Sequence, residues 1–338
     1  MKSSASPIIS VCIPVFETEP YLVQCLRSVI SQNFDSFEIV VVSDASRGKD
    51  EKGRSAKKIM KFAQKEAHRF RKKNKFSQIP VRFIEHRENR GILEVRRTLV
   101  YEARGTYIAM IDSDDEYLEG ALAVLYESAI KNDADIVHGS SVAGTFDSEG
   151  KFIPEKENRY GQIFYGELTG RDVFRGWLLD GKLTANTWGK LIKREFWLKA
   201  YEGIPYTECN MADDVLLFFF LSQYASSYKG VENKVYRYRV NSGMTSARKI
   251  DSIHKWKMIC SAASVFAVIS EWIHSNPQRL KEDEINKIKM MTSYYLSNNL
   301  RQLGETVLPE LQSAAREMLC EYWGKSFVER MENIVHGG

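Results

Sequence analysis

Across the first third of the chain the hydrophobic positions switch repeatedly between two periods. Residues 8–15, IISVCIPV, are a nearly unbroken β-branched run, the pattern of a strand buried on both faces. YLVQCLRSVISQ then sets Leu22, Cys25, Leu26, Val29 and Ile30 at helical spacing. FEIVVVSDAS repeats the strand pattern and breaks into turn residues at Asp44, and a basic helix follows with Ile59, Phe62, Ala63, Ala67 and Phe70 on one face. PVRFIE gives a third strand, residues 92–103 a third helix, and TYIAMI a fourth strand that runs straight into Asp112. This alternation predicts an α/β fold: a mostly parallel sheet with helices on both faces and ligands at the carboxyl ends of the strands. Asp44 and the acidic run Asp112, Asp114, Asp115, Glu116 fall at those ends.

Downstream the pattern loosens. DIVHGSSVAGTFDSEGKFI reads as a strand and hairpin, RDVFRGWLLD and KLIKREFWLKAY as short helices, and DDVLLFFFLSQYA as a buried helix with an acidic start. YKGVENKVYRYRV reads as strands around a turn, and beyond Ser246 the chain is helical almost to its end. The tail from about Ile250 is expected to be a helical appendage packed on the first domain.

Composition and charge then exclude several classes. A chain of 338 residues, 43% hydrophobic and 27% charged, buries a sizeable core. The net charge of +4 comes without an arginine-rich or aromatic-interleaved RNA-binding pattern, so no nucleic-acid partner is expected. Cys12, Cys25, Cys209, Cys260 and Cys320 are odd in number and scattered, which fits neither a disulfide framework nor a zinc knuckle and points to a reducing compartment. The N-terminal apolar run is too short for a signal peptide, and no uninterrupted apolar stretch reaches membrane-spanning length. A cytoplasmic protein is the expectation. Residues 49–75 carry twelve Lys and Arg against three acids, either a solvated helix face or a patch that holds the protein near a polyanionic glycan or near anionic lipid, as a peripheral contact with the inner face of a membrane. KWKMICSAASVFAVISEWIH, apolar over much of its surface, suits buried packing or homo-oligomer contact through the C-terminal helices, with membrane-surface docking as the sharper alternative.

The acidic run admits two readings. Aspartate is favoured at helix N-caps, so Asp112 to Glu116 could simply open the helix after Tyr117. It is not an EF-hand loop, because Tyr117 and Ala123 stand where that loop needs glycine and a bidentate glutamate. Alternatively, aspartates two apart at a strand end offer oxygens to one hard cation that bridges a diphosphate. Asp213 and Asp214 pose the same choice between capping and chemistry.

ISVCIPVFETEPYLVQCLRSVISQNFDSFEIVVVSDAS, then ENRGILEVRRTLVYEARGTYIAMIDSDDEYLEGAL, then MADDVLLFFF, together resemble the family 2 glycosyltransferases in order and spacing over roughly the first 240 residues. The resemblance implies a GT-A type, Rossmann-like sheet and a division at about 249. The transferase domain would have a nucleotide-sugar half of about 1–116 and an acceptor half of about 117–249, with residues 250–338 as the C-terminal helical region. It further implies that Pro14, Phe16 and Asp44 hold the nucleotide base, that Arg96 contacts phosphate or base, and that Asp112 and Asp114 serve ribose and a divalent Mn2+ or Mg2+. Asp214 would be the catalytic base. A nucleotide-sugar donor, with a UDP-sugar favoured, and a glycan or lipid-linked acceptor follow as partners. The implied reaction is an inverting, metal-dependent hexosyl transfer in surface polysaccharide or glycoconjugate synthesis. Glu17 stands at a usual asparagine, Ser43 where a second acid is common, and Arg97 replaces an asparagine, so the base pocket departs from the pattern. Trp188 offers a ring for an acceptor sugar, and Arg237 and Arg239 lie in YRYRVNSGMTSAR, which resembles the segment that closes over the donor. A sugar nucleotidyltransferase would need a glycine-rich basic loop where PVFETEP stands; a non-catalytic binding relative is the remaining alternative.

Overall fold

The computed structural model describes residues 6–157, 159–242 and 249–336. Among these described residues ten strands form one sheet: β1 (Ile9–Val15), β2 (Phe37–Ser43), β3 (Val81–Glu85), β4 (Tyr107–Met110), β5 (Glu116–Tyr117), β6 (Ile136–Phe146), β7 (Phe152–Pro154), β8 (Glu167–Thr169), β9 (Lys190–Lys193) and β10 (Ser227–Arg239). Their order is β3-β2-β1-β4-β9-β6-β10-β5, with β7 on β6 and β8 on β10. The four strands read as an alternating βα series pair in parallel, with Val11 opposite Ile39 and Ala109 and with Ile39 opposite Val81. Beyond β4 the sheet is mixed, since β9 runs antiparallel to both β4 and β6 while β6 and β10 are parallel.

Two layers of helices follow from the period-2 alternation of those strands. Val11, Ile13, Ile39 and Val41 face one core with Leu22, Leu26 and Val29 of α1 (Glu19–Ile30), Ile59 and Ala63 of α2 (Ala56–Lys73), and Leu122 and Leu125 of α4 (Ala121–Lys131). Cys12, Val40, Val42, Ile108 and Met110 face the other. There they meet α3 (Ile92–Glu102), α5 (Asp172–Leu178), α6 (Arg194–Gly203) and α7 (Asp213–Tyr224). Helix α7 buries every residue from Leu216 to Ser222, which is why its sequence is apolar all round.

Two expectations change in detail. KLIK, read as helical, is β9, because Leu191 and Ile192 point into opposite cores as only a strand allows. YKGVENKVYRYRV is one strand, β10, whose exposed Glu232 and Asn233 are absorbed as a register shift against β6.

The C-terminal residues form α8 (Ile253–Cys260), α9 (Ala262–Ser275), α10 (Glu282–Glu305), α11 (Gln312–Trp323) and α12 (Lys325–His336). They have a core of their own around Trp256, Phe266, Leu296, Leu319 and Trp323. They are also sewn to the sheet's helices. Trp272 packs edge-on against Phe219 and Phe220, and the buried Glu284 pairs with Arg171 at 2.5 Å and Arg175 at 3.0 Å. Among the described residues, Ile253–Ser275 is the one stretch long and apolar enough to cross a membrane, and Trp256, Cys260, Val265 and Ile269 within it are committed to these cores.

Candidate active site

The carboxyl ends of β1, β2 and β4 converge on a cavity of about 240 Å³. Pro14, Phe16, Asp44, Arg96, Asp112 and Asp114, all singled out in the sequence, line it together, and Asp213, Asn210, Tyr238 and Met258 are also in its wall. Each residue arrives by a short path from a rigid element, as in other open α/β sheets.

Asp44 follows β2 directly and is 1% exposed. It accepts from the His86 ring Nδ1 at 2.7 Å and from the backbone N–H of Arg90 (3.0 Å) and Gly91 (2.9 Å). Gly91 sits at φ 85°, and a Cβ there would lie 3.0 Å from the Cys209 carbonyl, so only glycine lets the loop before α3 wrap this carboxylate. Asp44 thereby fixes the start of α3, and α3 in turn sets Arg96, one turn in, under the cavity floor.

The Asp112–Glu116 run divides. Asp115 is 2% exposed and takes the Tyr236 hydroxyl at 2.8 Å and the Arg239 backbone N–H at 2.7 Å. Burial, then the nearby Asp114 and Asp112 charges, hold its carboxyl well above the usual range. Glu116 pairs with Arg237 at 2.7 Å. Asp112 and Asp114 face the cavity instead. Asp112 accepts from Arg96 Nη2 at 3.2 Å, and Asp114 accepts from the Ser242 hydroxyl at 2.6 Å. Burial raises Asp112 to about 6 although Arg96 opposes it.

Arg96 is the hub. Its side chain is 5% exposed, and it bonds Asp213, Asp214 (2.6 Å) and Asp112 at once. Burial would lower its pKa, yet the three carboxylates hold it well above the ordinary value. One guanidinium cannot neutralise three carboxylates, and Asp213, 13% exposed, takes up the shortfall: burial first, then Asp214, push it up to about 7. The Asp214 side chain is 30% exposed and receives both Arg96 Nη1 and the Thr187 hydroxyl (3.2 Å) on Oδ1. Asp213 is among the residues that line the cavity, and Asp214, the more exposed of the two, shares its guanidinium.

Other sequence expectations resolve as follows. Trp188 is 6% exposed and stacks on Tyr236 at 4.7 Å and Tyr238 at 5.4 Å, so its ring is packed against the protein and not offered to a sugar. Arg237 and Arg239 brace the acidic turn, with Arg239 Nε on the Asp114 carbonyl at 3.0 Å; residues 243–248 of that segment lie outside the described residues. Arg97 pairs with Glu94 at 2.8 Å and donates to the carbonyls of Tyr201, Ile204 and Pro205, tying α3 to the loop before Asp213. Sequence reasoning missed Asn210, Tyr238 and Met258. Met258 comes from α8, where nothing but its apolar spacing was visible.

The donor set suits a divalent ion that shares its shell with a substrate. Among the described residues, Asp112 and Asp114 each keep one carboxylate oxygen without a protein donor, and no group of three or more His, Cys, Asp or Glu forms a closed cage. Mg2+ and its analogues bind in this manner, through one or two carboxylates with diphosphate and water supplying the rest.

The family model described as glycosyl transferase family 2 matches residues 10–179. Among curated proteins, the chain is similar to the glycosyltransferase GlyG of Streptococcus pneumoniae, 25% identical over 250 residues, covering 73% of this chain and 75% of GlyG. It is also similar to the glycosyltransferase GlyA of the same organism, 26% identical over 240 residues, covering 70% of this chain and 31% of GlyA. The crystal structure of S. aureus TarS 1–349 superposes with a TM-score of 0.49 at 16% identity, covering 98% of this chain and 92% of that one.

Proposed function

The chain belongs to glycosyl transferase family 2, and from that premise we propose that it moves a sugar from a nucleoside-diphosphate donor to a hydroxyl of a glycan or lipid-linked acceptor, with inversion at the anomeric carbon. The observation that carries this reading is the single cavity in which Asp44, Asp112, Asp114 and Arg96 meet at the strand ends. Pro14, Phe16 and Asp44 lie on the nucleotide side, and a UDP-sugar is the first donor to test.

A divalent ion held by Asp114, with Asp112 in support, would neutralise the charge that develops on the leaving diphosphate. The chain's own residues do the rest. Arg96 stands between the diphosphate side and the acidic pair, so it can stabilise negative charge on one while fixing the geometry of the other. Asp214 is the proposed general base, taking the acceptor hydroxyl proton as that oxygen attacks. What supports it is orientation: both hydrogen bonds it receives from the described residues fall on Oδ1, and among the described residues Oδ2 has no donor and is able to accept. A proton acceptor acting in line, with no covalent sugar intermediate, gives inversion. Asp213 is the more enclosed of the two, its side chain 13% exposed against 30% for Asp214, and it is less open to an acceptor hydroxyl.

The test is a panel of nucleotide sugars with Mn2+ or Mg2+, read by release of nucleoside diphosphate. One donor should hydrolyse slowly without acceptor, and its nucleotide should raise the melting temperature by mass action. A panel in which no donor is hydrolysed and no nucleotide stabilises the protein would overturn the proposal.

A further inference from the structure

We propose that the outward face of α2 is a docking surface for a bilayer leaflet bearing anionic phospholipid headgroups. This rests on none of the residues of the proposed reaction, since no residue of α2 lines the cavity.

Helix α2 turns Ala56, Ile59, Met60, Ala63 and Ala67 inward, together with the buried Arg71, whose guanidinium is occupied by the Gln32 and Phe34 carbonyls at 3.0 and 2.8 Å. At 3.6 residues per turn the opposite arc carries Lys57, Lys58, Lys61, Lys65, Arg69 and Lys72, all exposed. They run roughly 24 Å along the helix at about 1.5 Å per residue. Among the described residues none of these six has a carboxylate within ion-pair distance, and the helix's own Glu66 is taken by Arg27 at 2.8 Å. The spacing 57, 61, 65, 69 puts like charges at i,i+4, which destabilises a helix where interleaved acids would stabilise it. Segment 49–75 carries +9, more than the whole chain's +4, so the remaining residues are net negative and the chain's positive excess lies in this segment. An external counter-charge is what this face lacks.

The chemistry favours a lipid surface over other polyanions. Five of the six cations are lysines, compact charges on flexible stems that suit a diffuse anionic plane and lack the bidentate fork that reads a fixed phosphate. The face is a convex helix whose phenyl ring at the rim, Phe62, already lies under guanidinium groups and offers no free platform for base stacking. Phe62 at its rim is 37% exposed and lies under the guanidinium of Arg54 at 5.1 Å, an apolar body with a cationic cover suited to headgroup depth.

Co-sedimentation of the full chain with vesicles tests this. Wild-type protein should pellet with phosphatidylcholine vesicles containing about a third phosphatidylglycerol, and raising salt from about 0.1 M to about 0.5 M should release it. Phosphatidylcholine alone should not retain it. At roughly five-fold per cation, K57E/K61E/K65E/R69E should lower partitioning by at least about 100-fold. The neutral set K57Q/K61Q/K65Q/R69Q should fall between, and covers the case in which reversal impairs folding. A charge-matched set elsewhere, K131E/K156E/K234E/K289E, should stay near wild type. Equal binding to neutral vesicles, no binding by wild type, retained binding by the quadruple variants, or binding to RNA or heparin in preference to vesicles would each overturn the proposal.

Discussion

Two acidic clusters meet at Arg96, and they resolve their charge in opposite ways. The strand-end run splits: Asp115 and Glu116 turn inward onto Tyr236, Arg239 and Arg237, while Asp112 and Asp114 face the cavity. The helix-start pair does not split, since Asp213 and Asp214 share one guanidinium. Neither cluster caps a helix. The N-cap before α4 is Gly120 and that before α7 is Ala212, and no side-chain cap hydrogen bond forms at either. Crowded carboxylates at a fold's functional edge are therefore better read by who receives them than by where they sit along a helix. In the first cluster the protein satisfies half of the charge and leaves half facing the cavity; in the second it holds all of it around a single cation.

The largest effect should come from the half of the first cluster that is left open. Asp114→Ala is expected to abolish divalent-dependent nucleotide binding, measured by calorimetry, while the melting temperature moves little, because Asp114 gives up only the Ser242 bond. Binding of nucleotide and Mn2+ at wild-type strength would erase the distinction between Asp114 and its buried neighbour. Next is Asp214→Asn, which should reduce turnover by about 10² or more with donor affinity nearly unchanged, because a base acts on the acceptor in the transition state. If turnover stayed normal with the cognate acceptor, the second cluster would be structural only.

Arg96→Met attacks the link itself. It leaves three carboxylates without their cation at a largely buried place, and a loss of about 2–4 kcal/mol in unfolding free energy is expected by denaturant titration. An unchanged stability would mean that the clusters are independent. The smallest effect belongs to Asp213, whose folded pKa is raised from 3.8 to about 7. Between those values the folded state keeps a proton that the unfolded state has released, so this group's contribution to stability declines as pH rises from about 4 through 7. Asp213→Asn should flatten that decline relative to wild type in pH-resolved thermal melts. A difference curve with no slope in that window would place the excess charge on another member of the cluster.

Much of this was legible in sequence because it is local. The parallel half of the sheet follows from runs such as IISVCIPV and FEIVVVSDAS, which have no other way to bury both faces, and the strand ends carry Asp44 and Asp112 wherever the helices go. KLIK defeated the reading because four residues carry too little periodicity to separate strand from helix, and only the gap between β4 and β6 decides. Trp188 was ambiguous for a similar reason: a ring's partners, Tyr236 and Tyr238, are nearly fifty residues away in the chain.

The sequence by itself determined the alternating strands and helices of the parallel half, their order, and the carboxylates that end those strands, since these depend on residues within a turn or two of one another. Only the tertiary structure decided how the carboxylates are used. It brought Arg96 from α3 to Asp213 and Asp214 over a hundred residues later, bent Gly91 around Asp44, and sent Met258 from the C-terminal helices into the cavity wall. It also left the six cations of α2 facing outward with no acid among the described residues within ion-pair distance. Pairing and desolvation are long-range properties: a carboxylate's charge state depends on which distant groups exclude water from it or donate to it, and no local pattern records that.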